Sequence, residues 1–242
     1  MARGRFWLSP VWIDQLMCRF SRWALALQKS YGSKLLFTIF CAHHLLKGFC
    51  GGSGSHGMAG SAMEFTYRSY GVSGPQLQVF MSVALLPWSM KAIMGLMSDG
   101  FPIFGYRKAP YLIISGLAAL VAYAMLGLEG LRRSYGGAPM PLPLVTGSFF
   151  IVFFQMALTD LLIEGRYSEQ VKLVPERGPD LITFVLSGMS IAALCATVVS
   201  GWLIDRYSSN ACYLVALPFA GAILWPASCN YLQETRVSAR CR

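Results

Sequence analysis

Long apolar runs constrain this chain more than any other feature. Six stand out, at residues 34–52, 77–97, 111–128, 142–163, 181–204 and 211–229. About 20 apolar residues cross a bilayer as one helix, because backbone groups in hydrocarbon must be satisfied within their own segment. The expected fold is therefore all-α: a polytopic membrane helical bundle with six transmembrane helices. The first run is the weakest, since His43, His44 and Lys47 interrupt it. It reads as a core-facing or pore-lining span, or else as an interfacial helix. Hydrophobic residues make up 55% of the chain and charged ones 13%, a balance that argues against a water-soluble domain.

The net charge of +9 would suggest nucleic acid in a soluble protein, so its distribution decides. With the N-terminus in the cytoplasm, the inside segments 1–34, 98–110, 164–180 and 230–242 carry 6, 2, 3 and 3 Lys or Arg. The outside segments hold only Arg68, Arg132, Arg133 and Arg206, while Lys47 and Lys91 lie within spans. This positive-inside bias puts both termini in the cytoplasm and accounts for the surplus without nucleic acid. The chain thus divides into an N-terminal cytoplasmic segment (1–33), a six-span bundle (34–229) and a short basic tail (230–242). The membrane is the plasma membrane or that of an organelle.

Within the N-terminal segment, Ser9-Pro10 resembles a helix start, and Trp12, Leu16, Phe20, Trp23 and Leu27 recur at helical spacing. An amphipathic helix on the anionic leaflet is expected. Between the first two runs, residues 51–60 are Gly-rich but lack the Gly-Lys-Ser/Thr ending of a phosphate loop, so they read as a flexible external connection. The seven cysteines form no C-x-x-C pair and read as buried thiols. No nucleophile and base arrangement, cofactor loop or metal spacing supports an enzyme, and neither a cofactor nor a metal is expected.

The segment joining the second and third runs, Gly95-Leu96-Met97-Ser98-Asp99-Gly100-Phe101-Pro102-Ile103-Phe104-Gly105-Tyr106-Arg107-Lys108-Ala109-Pro110-Tyr111, is the richest in signal. An acid ending one helix and two cations preceding the next allow a charge-assisted latch between Asp99 and Arg107 or Lys108. Gly95 permits close helix approach and Gly105 a tight turn. An ordinary loop with positive-inside cations accounts for the same composition.

Gly-x-x-x-Asp followed by Gly-x-Arg-Lys resembles the loop signature of the major facilitator superfamily. Its expanded form here, with five residues between Asp99 and Gly105, is similar to that of the folate/biopterin (pteridine) transporter family. Asp160-Leu161-Leu162-Ile163-Glu164-Gly165-Arg166-Tyr167-Ser168-Glu169 and Pro179-Asp180-Leu181-Ile182-Thr183-Phe184 resemble that family's end of span four and start of span five. The resemblance covers roughly residues 35–230 and implies the amino-terminal half of a twelve-span carrier. It implies a transporter of pteridines, proton-coupled and working by alternating access, whose partners are the lipid bilayer, a pteridine or folate-like small molecule, and a second six-helix half or a second copy. A half-length or truncated form, or a transport-inactive subunit that pairs with other carriers, fits the same sequence.

Charges inside the runs are candidates on physical grounds, because a carboxylate in hydrocarbon must face a cavity or a partner. Asp160 lies three residues before the end of the fourth run, and Glu164 follows one turn later on the same face. Both could instead be interfacial and paired with Arg166 or a loop cation. Lys91 lies at comparable depth, which allows an ion pair with Asp160. His43 and Lys47 share a face at i, i+4, whereas His44 points elsewhere. Given the resemblance, Asp160 is expected to serve pterin recognition or proton coupling, and Lys47 or Lys91 a substrate charge or an internal salt bridge. Gly188, Ala192, Ala196 and Ser200 form a small-residue stripe that invites close helix packing.

Overall fold

The computed structural model describes residues 10–51 and 57–234. Among these the chain is helical almost throughout. Helix α1 (Pro10–Tyr31) is followed by α2 (Ser33–Ile39), a π-helix (Phe40–Gly51) and α3 (Gly57–Ser69). Then come α4 (Gly74–Ser89), α5 (Lys91–Gly100), α6 (Ala109–Ser134), α7 (Leu142–Leu173), α8 (Gly178–Arg206), α9 (Ser209–Gly221) and α10 (Leu224–Ser228).

Four helical segments are long and apolar enough to cross a membrane: Ala109–Ser134, Leu142–Leu173, Pro175–Arg206 and Ser209–Ser228. The pair α4 and α5, bent by 40° at Met90, makes a fifth if it is one broken span. The bend has a local cause. Pro87 has no N–H to donate and crowds the preceding turn, and Met90 N bonds Pro87 O at 3.1 Å in place of a helical partner. The count is thus four or five where six transmembrane helices were expected, and the helix of the first run falls short. Its helix changes to a π-helix at Phe40, and His43, His44 and Lys47 dilute its apolarity.

One further expectation is corrected. Residues 57–60 of the Gly-rich stretch are the buried start of α3, which packs on α8 and α9, so small residues here serve close packing. Residues 52–56 lie outside the described part. The helix of the fourth run outlasts the run itself: α7 continues past Ile163 to Leu173 through residues that carry no apolar signal.

Helix ends are built from recognisable local chemistry. The Gln76 side chain accepts from the Ser73 N–H at 3.3 Å and the Ser73 hydroxyl at 3.0 Å, fixing the start of α4. Pro110 occupies the first turn of α6, where its missing N–H costs nothing. The Glu234 carboxylate accepts from Ala109 N at 3.1 Å, so the described end of the chain returns to cap α6.

In a bilayer, lipid tails are as apolar as leucine, so helices associate by packing and hydrogen bonds. The interior reflects this. Tyr67, Phe149 and Tyr213 are fully buried, with ring centroids 5.4 and 5.6 Å apart, and each tyrosine hydroxyl has a threonine partner. Tyr67 donates to Thr146 at 3.1 Å, and Tyr213 and Thr66 bond at 2.7 Å. Gly48 and Gly188 let the π-helix and α8 approach: a Cβ at Gly48 would stand 2.7 Å from Met189 O, and one at Gly188 would overlap the His44 ring.

Helix α1 departs from the surface-helix expectation. Leu27 and Tyr31 are buried against the bundle, the Trp23 ring lies 6.5 Å from Phe184, and the Tyr31 hydroxyl donates to Val174 O at 3.1 Å. The last turns of that face dock on protein, while Phe20 of the same face stays exposed, as do Met17 and Leu25. The side chains of Trp12 and Leu16 lie outside the described part.

At the end of the bundle away from α1, buried Glu129 accepts from Arg133 Nε at 2.8 Å, Met140 N at 2.7 Å and the Tyr70 hydroxyl at 3.2 Å. One carboxylate thereby ties α6 to the segment preceding α7 and to the α3–α4 connection. Glu129→Ala is expected to cost about 2 kcal/mol, since charge-assisted bonds to a buried acceptor are lost. Faster hydrogen exchange at the Met140 amide is the check, and an unchanged rate would contradict the clasp.

Candidate functional site

The densest group of intramembrane charge forms where α7, the π-helix and α5 meet. Asp160 sits in the middle of α7 with its side chain 2% exposed. Lys47 Nζ donates to its Oδ1 at 2.7 Å, and Lys91 Nζ donates to its Oδ2 in a still shorter contact. His43 Nδ1 stands 3.4 Å from Oδ1 without the alignment of a hydrogen bond, and its Nε2 has no partner. The ring of Tyr167 packs edge-on to His43 at 5.6 Å.

Both lysines also touch one aromatic ring. Trp88 lies 5.6 Å from Lys47 Nζ and 4.9 Å from Lys91 Nζ, within cation–π range. Nothing in the run pattern singles out Trp88, one of many aromatics in the apolar runs. Its position three residues before Lys91, on one face of a broken helix, is the signal that could have found it. Tyr167 lay beyond the expected end of the span.

Of the other predicted residues, His44 points away from Asp160. Its Nε2 bonds Phe184 O at 3.1 Å, and its ring rests on Phe184 and Gly188 of α8. Glu164 is exposed and does not join Asp160, although one turn separates them. Arg166 pairs with Glu169 at 3.1 Å and with neither of the two acids. Along the small-residue stripe, Gly188 and Ala192 face the π-helix, while Ala196 and Ser200 are fully buried.

The α5–α6 connection makes a different arrangement from the expected latch. Among the described residues Asp99 forms no ion pair with Arg107 or Lys108, and it is exposed. Lys108 instead reaches Glu169 on α7 at 3.4 Å, where Arg166 also binds. All five line one cavity of about 480 Å³ at the end of the bundle that carries α1. Length explains the difference: the loop folds back at Ile103 and Tyr106, which exchange backbone bonds of 3.0 and 2.9 Å around Phe104 and Gly105. Gly105 has φ +82°, a left-handed conformation that suits glycine, and Phe104 shares it at 53°. Gly95 is not needed for close approach, because a Cβ there would meet Leu161 Cδ2 at an ordinary 3.6 Å.

Apolar spanning helices packed around a buried, doubly paired carboxylate define an integral membrane protein with a polar centre. Comparison with known sequences identifies which kind. The chain belongs to the BT1 family, whose sequence profile matches residues 52–225. It is 24% identical over 200 residues to probable folate-biopterin transporter 4 of Arabidopsis thaliana, covering 80% of this chain and 37% of that protein. The folate-biopterin transporter of Synechocystis is 23% identical over 164 residues, covering 67% of this chain and 32% of its own length. Folate transporter 1 of Plasmodium falciparum is 33% identical over 101 residues, or 42% and 18%. The chain therefore spans well under half the length of these relatives. No solved structure matches it.

Proposed function

We propose that the chain forms the amino-terminal, six-helix part of a major-facilitator-type pteridine or folate carrier that works by alternating access, with a second six-helix bundle or a second copy supplying the opposite face. The observation that carries this reading is the Asp160 cluster. A carboxylate held by two ammonium groups within the membrane is costly to build, and such groups mark substrate or proton pathways. Support for the family comes from the relatives named as folate-biopterin transporters. The broken α2–π-helix segment with α3 serves as the sixth crossing, and the lysine and arginine distribution favours cytoplasmic termini.

In this reading Asp160 serves recognition or proton coupling, and Lys47, Lys91 and His43 share its charge. Glu164, Asp99, Arg107 and Lys108 contribute at the cytoplasmic rim. A transport-inactive partner of other carriers is the second reading. Uptake of labelled folate and biopterin into proteoliposomes containing the chain separates the two. Pteridine uptake that rises with an inward proton gradient, and that loses its pH dependence in Asp160→Asn, is the expected result. Absence of uptake both by the chain alone and after a second carrier bundle is added would favour the transport-inactive reading.

A further inference from the structure

The connection between α5 and α6 turns back along the membrane-spanning helix instead of running out into water. Ile103 and Tyr106 exchange both backbone hydrogen bonds, at 3.0 and 2.9 Å, and close a two-residue turn on Phe104 and Gly105. Phe104 is the tip, 85% exposed and held at a φ of 53° that a bulky residue rarely adopts. Phe101 on the same connection is exposed as well. What the turn touches gives its depth. Phe104 lines one groove with Ile113 and Ile114, and Ile103 lines another with Ile114 and Ala118. Ile114 lies about 7.5 Å along α6 from Ala109, at 1.5 Å per residue. The turn therefore sits at the edge of the hydrocarbon, a setting that suits its paired backbone groups.

The two grooves flank one ridge, and Ile114 borders both. Between α6 and α7 a groove of about 380 Å³ runs past Ala118 to Phe154 and Leu158. Its two hydroxyls are committed: Ser115 donates to Tyr111 O, and Tyr111 to Phe101 O, each at 2.7 Å. A groove so lined does not hold water. The second, of about 370 Å³, lies between α6 and Ala227 of α10, with Ser228 and Asn230 at its membrane-surface end. The exposed residues of the helices indicate what covers this side. From Ile114 to Leu131 they are Ile114, Leu117, Ala118, Val121, Leu128 and Leu131 on α6, all apolar and all but Ala118 large. Helix α8 differs, since Thr183, Ser187, Ser190, Thr197 and Gly201 are exposed along it. Small and hydroxyl-bearing residues suit a packed helix, whereas a large apolar face suits lipid tails. Arg107, exposed just before α6, adds positive charge at the headgroup level.

We propose that the 101–106 connection is a lipid-anchoring wedge, and that one two-chain phospholipid sits astride α6, with an acyl chain in each groove and its phosphate near Arg107. The inference needs only that α6 spans a membrane, so it stands apart from the pteridine reading. Phe104 then carries two effects of opposite sign. Its left-handed backbone weakens the fold, while its ring packs against the lipid chain. Glycine at this position relieves the first and removes the second.

The first test places photoreactive benzoylphenylalanine at Phe104 of the full chain in nanodiscs of palmitoyl-oleoyl phosphatidylglycerol. Mass spectrometry is expected to find phospholipid adducts there and few with the same group at Leu173. That residue is 73% exposed at the same end of the bundle, but about 15 Å beyond Ile163 along α7. The second test is retention of this lipid in native mass spectra of detergent-purified protein. One lipid per chain is expected in the parent, bound about tenfold more weakly in Phe104→Gly through loss of one aromatic contact. The unfolding temperature of delipidated Phe104→Gly should be no lower than the parent's, which a purely structural phenylalanine would not allow. Ala118→Phe, which fills one groove, should lose the lipid too; if it fails to fold, the Phe104 results decide alone. Equal adducts at Phe104 and Leu173, undiminished lipid retention in Phe104→Gly, or cross-linking of Phe104 to a second copy of the chain overturns the proposal.

Discussion

Asp160→Ala is expected to destabilise the bundle by about 3 kcal/mol, because removing one member of a buried ionic group leaves the others unpaired. Two ammonium groups would then share an apolar setting with no counter-charge, and the helices that hold them apart from solvent would be pushed apart. The figure is taken at the low end of the range for broken buried pairs, since both lysines are partly exposed and can relax outward. Thermal unfolding in detergent measures it. The companion variant Asp160→Leu/Lys47→Met/Lys91→Met removes all three charges together, and most of the lost stability should return. Loss in the single variant with recovery in the triple one is the signature of an ionic network. A single variant as stable as the parent would contradict the network as described.

The second large effect is expected at Gly188. A side chain there has no room, since even a Cβ would run into the His44 ring, and the neighbouring approach at Gly48 is against the backbone of α8. Gly188→Val should cost about 3 kcal/mol by overpacking. The loss is specific to one contact, so His44→Ala in the Gly188→Val background is expected to recover part of it. In the parent, His44→Ala alone should destabilise, because it leaves a gap and frees Phe184 O. That change of sign is a coupling that a double-mutant cycle reads directly. Additive effects would mean that Gly188 and His44 do not meet.

How much of this could be read from residues alone varies with the physics of each part. The four spanning segments from Ala109 onward follow from apolar run length, because hydrocarbon imposes one requirement on every residue that crosses it. Run ends are less informative. Helix α7 passes Ile163 without a break, since Glu164, Arg166, Glu169, Gln170, Lys172 and Leu173 are good helix formers that carry it past Gly165, and the polarity of this stretch says only that the helix has left the apolar zone. The π-helix has no sequence signature of comparable strength, and Gly57–Gly60 read as a connector because small residues serve both loops and tight packing.

At the site, a simple depth argument sets Lys91 level with Asp160, and helical spacing pairs His43 with Lys47. What spacing cannot give is which partner wins. Lys108 was matched to Asp99 by nearness in sequence, yet it lies against Glu169, sixty-one residues away. In the Glu129 clasp the i, i+4 spacing gives Arg133, whereas Tyr70 and the Met140 backbone are gathered only by the fold.

The bend at Met90 has a mechanical meaning. Lys91 is the first residue of α5, so it stands at the fulcrum, while Gly100 closes the far tip about 15 Å away at 1.5 Å per residue. Swinging α5 about this point by ~10° carries the tip, with Asp99, through about 2.5 Å, yet scarcely moves the ammonium group at the pivot. The ion pair with Asp160 thus lies close to the axis of any such swing, where it would be displaced far less than the contacts at the tip.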